Sequence, residues 1–219
     1  MPNLRLHSWF APLFLLLLSG CSSTPDIPPF TASGYLADRG AVRIWRKNSG
    51  HASVHLRTLY TPFNGDASET TDYLWQEEKL ISVERHVGGN QPNDVTLRFD
   101  QDGSLSFMQR QLAGRREAVD ADTIELYKFD AQRMLAQSNA LLSGRVALKQ
   151  GQWLGGNQIK RCDGERVSPS FDDYALQTLA RQRDGGTLLV SWLEAPEGTQ
   201  LLRAAPGESC DSQPTEADF

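Results

Sequence analysis

The stretch Val42-Arg-Ile44-Trp-Arg-Lys-Asn-Ser-Gly50-His-Ala-Ser-Val54-His-Leu56-Arg-Thr58 decides the fold. Apolar residues recur at every second position on either side of a Lys47–Gly50 turn, and a period of two is the signature of a strand that buries one face. Two such runs joined by Asn/Ser/Gly residues form an antiparallel hairpin. The same grammar continues toward the C-terminus. Tyr73-x-Trp75 meets the polar Gln76–Lys79 turn and then Ile81-x-Val83. Val95-x-Leu97-x-Phe99 meets Asp100-Gln-Asp-Gly103 and then Leu105-x-Phe107. Trp45 falls out of phase with Val42 and Ile44, so the second face of its strand is not wholly polar.

The alternation breaks between Asp120 and Gly144. Asp122 with Glu125 suits a capping box, Ile124, Tyr127, Met134, Leu135 and Leu141 suit a helical stripe, and Gly144 ends it. Strand character returns at Val146-x-Leu148 and from Trp153 to Lys160. Phe171–Ala180 reads as helix or strand. Asp184-Gly-Gly186 ahead of Thr187–Leu193 favours a hairpin there, and Glu197-Gly198 turns into Thr199–Leu202. The expected fold is α+β: a meandering, curled antiparallel sheet, open or partly closed into a barrel, with one main helix over 122–143.

Outside this domain, read as residues 33–210, the chain changes character. Arg5 and the ten apolar residues Trp9–Leu18 make a signal-peptide core, shorter than the roughly 18 residues of a membrane span. Leu18-Ser-Gly-Cys21 looks like the lipobox of bacterial lipoproteins, which implies a lipid thioether on Cys21, cleavage before it and acylation of the freed amine. Ser22, rather than Asp, favours the outer membrane. Residues 21–32 read as a lipidated Pro-rich tether, and 211–219 as a loose acidic tail.

The 219 residues carry 22 Lys+Arg against 27 Asp+Glu, a net charge of −5. That balance argues against nucleic acid, which needs a basic face. With Cys21 lipidated, Cys162 and Cys210 remain, and an oxidising compartment favours a disulfide between them. His51 and His55 on one strand stand roughly 13 Å apart, too far to share a metal. His55 and His86 could meet across strands. Asp100-x-Asp102-Gly103 resembles a calcium-loop fragment but lacks the later ligands, so it reads as a turn. Neither Gly88-Gly89-Asn90 nor Gly155-Gly156-Asn157 leads into a capped helix, so neither cradles a phosphate. No cofactor motif and no serine-nucleophile motif is present. The adjacent acids Glu77-Glu78 and Asp172-Asp173 could serve a cell-wall or lipid-acting hydrolase, or simply be solvated. The aromatic set comprises Trp45, Tyr60, Phe63, Tyr73, Trp75, Trp153, Tyr174 and Trp192. In a curled sheet Trp45, Trp75, Trp153 and Trp192 are candidate ligand-facing residues; the alternative is that they fill the core.

The segment Phe30-Thr-Ala-Ser-Gly-Tyr-Leu-Ala-Asp-Arg-Gly-Ala-Val-Arg-Ile-Trp-Arg-Lys-Asn48, directly after the lipobox and tether, resembles the YjaH-like lipoproteins of enterobacteria, a family with a domain of unknown function. The resemblance implies an envelope lipoprotein and no assigned reaction. The reading that follows is a non-enzymatic, periplasm-facing protein held in the membrane through Cys21. It would bind an envelope protein or a small apolar ligand.

Overall fold

The computed structural model describes residues 27–50, 52–65, 67–183 and 185–219. The signal segment, Cys21 and His51 lie outside the described residues. Among the described residues thirteen strands and two α-helices follow in chain order: β1 (Phe30–Ala37), β2 (Gly40–Ser49), β3 (Ser53–Pro62), β4 (Glu69–Gln76), β5 (Lys79–Val87), β6 (Asn93–Phe99), β7 (Leu105–Leu112), β8 (Arg115–Glu117), α1 (Ala121–Ser143), β9 (Ala147–Gly155), β10 (Gln158–Arg161), β11 (Arg166–Val167), α2 (Asp173–Gln182), β12 (Leu188–Ala195) and β13 (Gly198–Pro206). Strands β1 to β8 form one antiparallel meander in sequence order. The hairpins expected between Val42 and Phe107 are present, with Ile44 opposite Thr58 and Leu56 opposite Tyr73. The remaining strands form a second sheet in the order β11-β10-β9-β12-β13. The two ends of the meander, β1 and β8, do not pair, so the sheet is open rather than a closed barrel.

Burial explains why one meander became two sheets. Val42, Ile44, Leu56, Tyr73, Trp75, Val83, Val95, Leu97 and Phe99 pack with Ala131 and Met134 of α1, so the long sheet curls around this helix. The opposite face of β2 carries Ala41 and Trp45, which pack against Leu148, Leu193 and Leu202 of the second sheet. That sheet's far side, with Trp153, Ile159, Leu188, Val190 and Trp192, is covered by Leu179 of α2. The layers therefore run α1, long sheet, short sheet, α2. Strand β2 is buried on both faces, as central strands in covered sheets are. Gly34 permits the inter-sheet contact: a Cβ there would stand 2.6 Å from the Val42 carbonyl oxygen and 3.3 Å from Leu202.

Four expectations are corrected. First, α1 is capped by Asp120, whose carboxylate accepts from the Thr123 N–H at 2.7 Å. The Asp122–Glu125 box does not form; Glu125 pairs with Lys128 at 2.9 Å. Gly144 is the C-cap with an ordinary φ of −75°, and the left-handed position falls on Arg145 at φ 54°. Second, Phe171–Ala180 is no hairpin strand but the start of α2. Asp172 caps it through the Ala175 N–H at 2.7 Å, and Ala175 and Leu179, one turn apart, are its buried residues. A cap plus an i, i+4 apolar pair outweighs the turn signal of the glycines that follow. Third, the strand β1 starts at Phe30, inside the stretch read as tether. Fourth, the acidic tail lies against the long sheet. Lys47 Nζ donates to the carbonyls of Glu216 and Phe219 at 3.1 and 3.0 Å. The Phe219 ring packs edge-on against Phe30 and His55, with the Arg57 guanidinium 4.9 Å from its centroid.

Cys162 and Cys210 form a disulfide. It ties the end of β10 to the 3-10 turn Cys210–Ser212 beyond β13, across the short sheet.

Candidate functional site

Two arginines sit on β2 and are buried almost alike, yet they are served differently. Arg46 faces α1. Its Nη1 donates to Asn139 Oδ1 at 2.6 Å and its Nε to Asn48 Oδ1 at 2.8 Å. Arg43 lies between Ala41 and Trp45 on the face turned toward the short sheet. It is 6 % exposed, and among the described residues its Nε has no hydrogen-bond partner. Its guanidinium carbon stands 5.7 Å from the Trp45 ring centroid. Burial, reinforced by the neighbouring Arg203 charge and opposed by Glu208, lowers the Arg43 pKa to about 10. The side chain is therefore still a cation at neutral pH.

Arg43 lines a recess of about 550 Å³ with Leu59, Thr61, Pro62, Arg203, Glu208 and Ser209. Arg203 and Glu208 form a two-pronged ion pair, one bond at 2.8 Å. This pairing, against the opposing effect of burial, holds the Glu208 carboxyl below its ordinary value. A second recess of about 520 Å³ shares Thr61, Pro62, Gly65 and Arg203 with the first, so the two are ends of one cleft. The second end is the more apolar: Leu36 and Ala41 of the long sheet, Phe63 just beyond β3, Leu201 and Leu202 of β13 and Tyr174 of α2 line it, with Thr178, Gln182 and Arg203 among its polar members. Leu36, Phe63 and Tyr174 are exposed at its rim, Tyr174 by 73 %. Each volume falls within the range of about 300–1,000 Å³ usual for ligand sites.

The tryptophans singled out in the sequence are core residues. Trp45, Trp75 and Trp192 are fully buried and Trp153 nearly so, and they are divided among three core clusters. Two other members of the aromatic set, Phe63 and Tyr174, line the cleft instead. Arg43 and Arg203 escaped the sequence reading because a basic residue at an alternate strand position reads as solvated. The only hint was Trp45, whose phase marks the Arg43 face as covered.

The other candidates do not assemble into a site. His55 takes Asp72 at 2.8 Å and His86 pairs with Asp94, so the two rings have separate carboxylates. Among the described residues no group of three His, Cys, Asp or Glu side chains converges as metal ligands do. Glu77 and Glu78 occupy the β4–β5 turn with φ 49° and 65°, and Asp172 is engaged as the α2 cap. Asp102 accepts from the Ser104 N–H at 2.9 Å and its hydroxyl at 2.6 Å, which makes Asp100–Gly103 a hairpin turn.

The fold defines an α+β class of protein in which a curled sheet and a smaller sheet meet around a two-ended cleft. The chain belongs to the family described as "Protein of unknown function (DUF1481)", which it matches over residues 32–215. It is 40% identical over 220 residues to the uncharacterized protein YjaH of Escherichia coli (strain K12), covering 98% of this chain and 95% of that protein. No solved structure matches it.

Proposed function

We propose that this chain is a lipid-anchored binding protein of the outer membrane, facing the periplasm, that takes a small apolar ligand into the cleft between its two sheets. The observation that carries the binding reading is the apolar end of that cleft, rimmed by the exposed Leu36, Phe63 and Tyr174. Large apolar side chains gathered at the mouth of a recess are costly to leave in water and mark a surface with a partner. The Leu18–Cys21 lipobox supports the anchor: several acyl chains on Cys21 hold a protein stably where one would not. The Cys162–Cys210 disulfide is consistent with an oxidising compartment.

Two measurements test the parts separately. Cys21→Ser should move the protein from the membrane fraction to the soluble fraction; retention of the variant in the membrane would overturn lipid anchoring. Native mass spectrometry of the full chain should show added mass that is lost on denaturation and absent in Leu36→Glu. An apo mass for the wild type, with cross-links from Phe63 or Tyr174 to another protein, would replace the small ligand by a protein partner.

A further inference from the structure

We infer that the cleft takes an amphiphile with a single anionic head group, its head on Arg43 and its chain along the apolar end. This rests on the binding reading above and names the chemistry of its ligand.

Among the described residues three ionic side chains line the polar recess: Arg43, Arg203 and Glu208. Glu208 is bound to Arg203 through two hydrogen bonds and acts on Arg43 only through space. These three groups leave a net charge of one positive, and Arg43, 6 % exposed, has Nε unpaired among the described residues. A buried charge is ordinarily paired, because taking an ion out of water without a partner is expensive. Arg46, three residues along the same strand, shows the ordinary solution with its Asn48 and Asn139 acceptors. Arg43 thus lacks the acceptor its position demands, and the recess it lines has room for one. An anionic head supplies that acceptor, and a single negative charge brings the described groups to zero; a cation would be repelled, and a neutral head would leave the guanidinium without a counter-charge.

Shape supplies the rest. The recess continues past Thr61 and Pro62 into the groove lined by Leu36, Ala41, Phe63, Leu201 and Leu202. A ligand that satisfies Arg43 therefore has an apolar path toward solvent, ending beneath Tyr174. The chain as a whole carries a net charge of −5, so long-range attraction does not gather anions on it. Selection for the anion rests on the short-range, water-poor contact at Arg43, where a charge-assisted bidentate hydrogen bond is strongest.

The test uses the full chain in phosphatidylcholine nanodiscs, titrated calorimetrically at pH 7 with octanoate, octyl phosphate and 1-octanol, empty discs serving as the blank. Octanoate should bind at least about tenfold more tightly than 1-octanol. Arg43→Met should bring octanoate down to the level of 1-octanol while leaving 1-octanol unchanged, which also shows that the variant's cleft is folded. Arg43→Lys should recover part of the preference, less than all because a lysine lacks the planar fork. Octanoate against octyl phosphate tells a carboxylate head from a phosphate one, and a preference for either over 1-octanol upholds the inference. Equal binding of octanoate and 1-octanol to the wild type would overturn the anionic head while leaving the apolar cleft in place. Binding of neither would overturn both.

Discussion

Strands β2 and β7 belong to the same sheet and follow the same alternating grammar, yet they end in opposite environments. Seven of the ten residues of β2 are buried, from Gly40 to Arg46. In β7 the first five are exposed, including Leu105, Phe107 and Met108. The difference is cover. Strand β2 has α1 on one side and the short sheet on the other, whereas β7 stands beyond both, next to the short, charged edge strand β8 with Arg115, Arg116 and Glu117. Alternation tells a strand from a helix; what lies on each face is decided by elements far away in the chain. The charged edge has its own logic, since such residues discourage pairing with another molecule.

The largest effect expected from this contrast is at the doubly covered end. Trp45→Ala should cost about 3–5 kcal/mol, the range for emptying a buried aromatic site, read from denaturant unfolding of the full chain; a loss under 1 kcal/mol would mean that the short sheet does not clamp β2. Next comes the staple that holds the short sheet's edge. Cys162→Ser with Cys210→Ser should lower stability by about 2–4 kcal/mol, as removing a cross-link that spans 48 residues of chain does. Unchanged melting of the double variant would show that the sheet is held without it.

Smaller still is the cap on the outer layer. Asp172→Ala removes the acceptor for the Ala175 N–H and should cost about 1 kcal/mol, with Asp172→Asn losing less. At the open end, Phe107→Gln should change stability by no more than about 0.5 kcal/mol, because Phe107 is 45 % exposed and its main contact is the Arg98 guanidinium at 5.8 Å. A loss above 2 kcal/mol there would break the comparison, since it would mean that β7 is covered after all.

The part of this structure legible in the sequence was the part governed by local rules. Val42 to Phe107 announced its hairpins because side-chain period and turn residues act within a few positions, and the Asp120–Gly144 break announced α1. The short sheet was legible as strands but not as a separate layer, since nothing near Val146 or Leu193 says which face meets β2. Helix α2 was legible only as one of two alternatives, because its buried apolar pair, Ala175 and Leu179, is short while the glycines after it are conspicuous. The site was harder. Arg43 acquires its electrostatic surroundings from Arg203 and Glu208, more than a hundred residues away, and Trp45 signalled a covered face without saying that the cover was protein.

The disulfide also bears on one wall of the recess. Glu208, Ser209 and Ser212, which wall the polar recess, flank Cys210 and are held over the short sheet by its bond to Cys162. Without that bond the wall is held by the Arg203–Glu208 pair, a partly exposed contact of modest strength, and further along the chain by the contacts of Lys47 and Phe219. Reduction of the disulfide therefore removes a covalent hold from this wall of the recess, while the core clusters of the two sheets keep their own contacts.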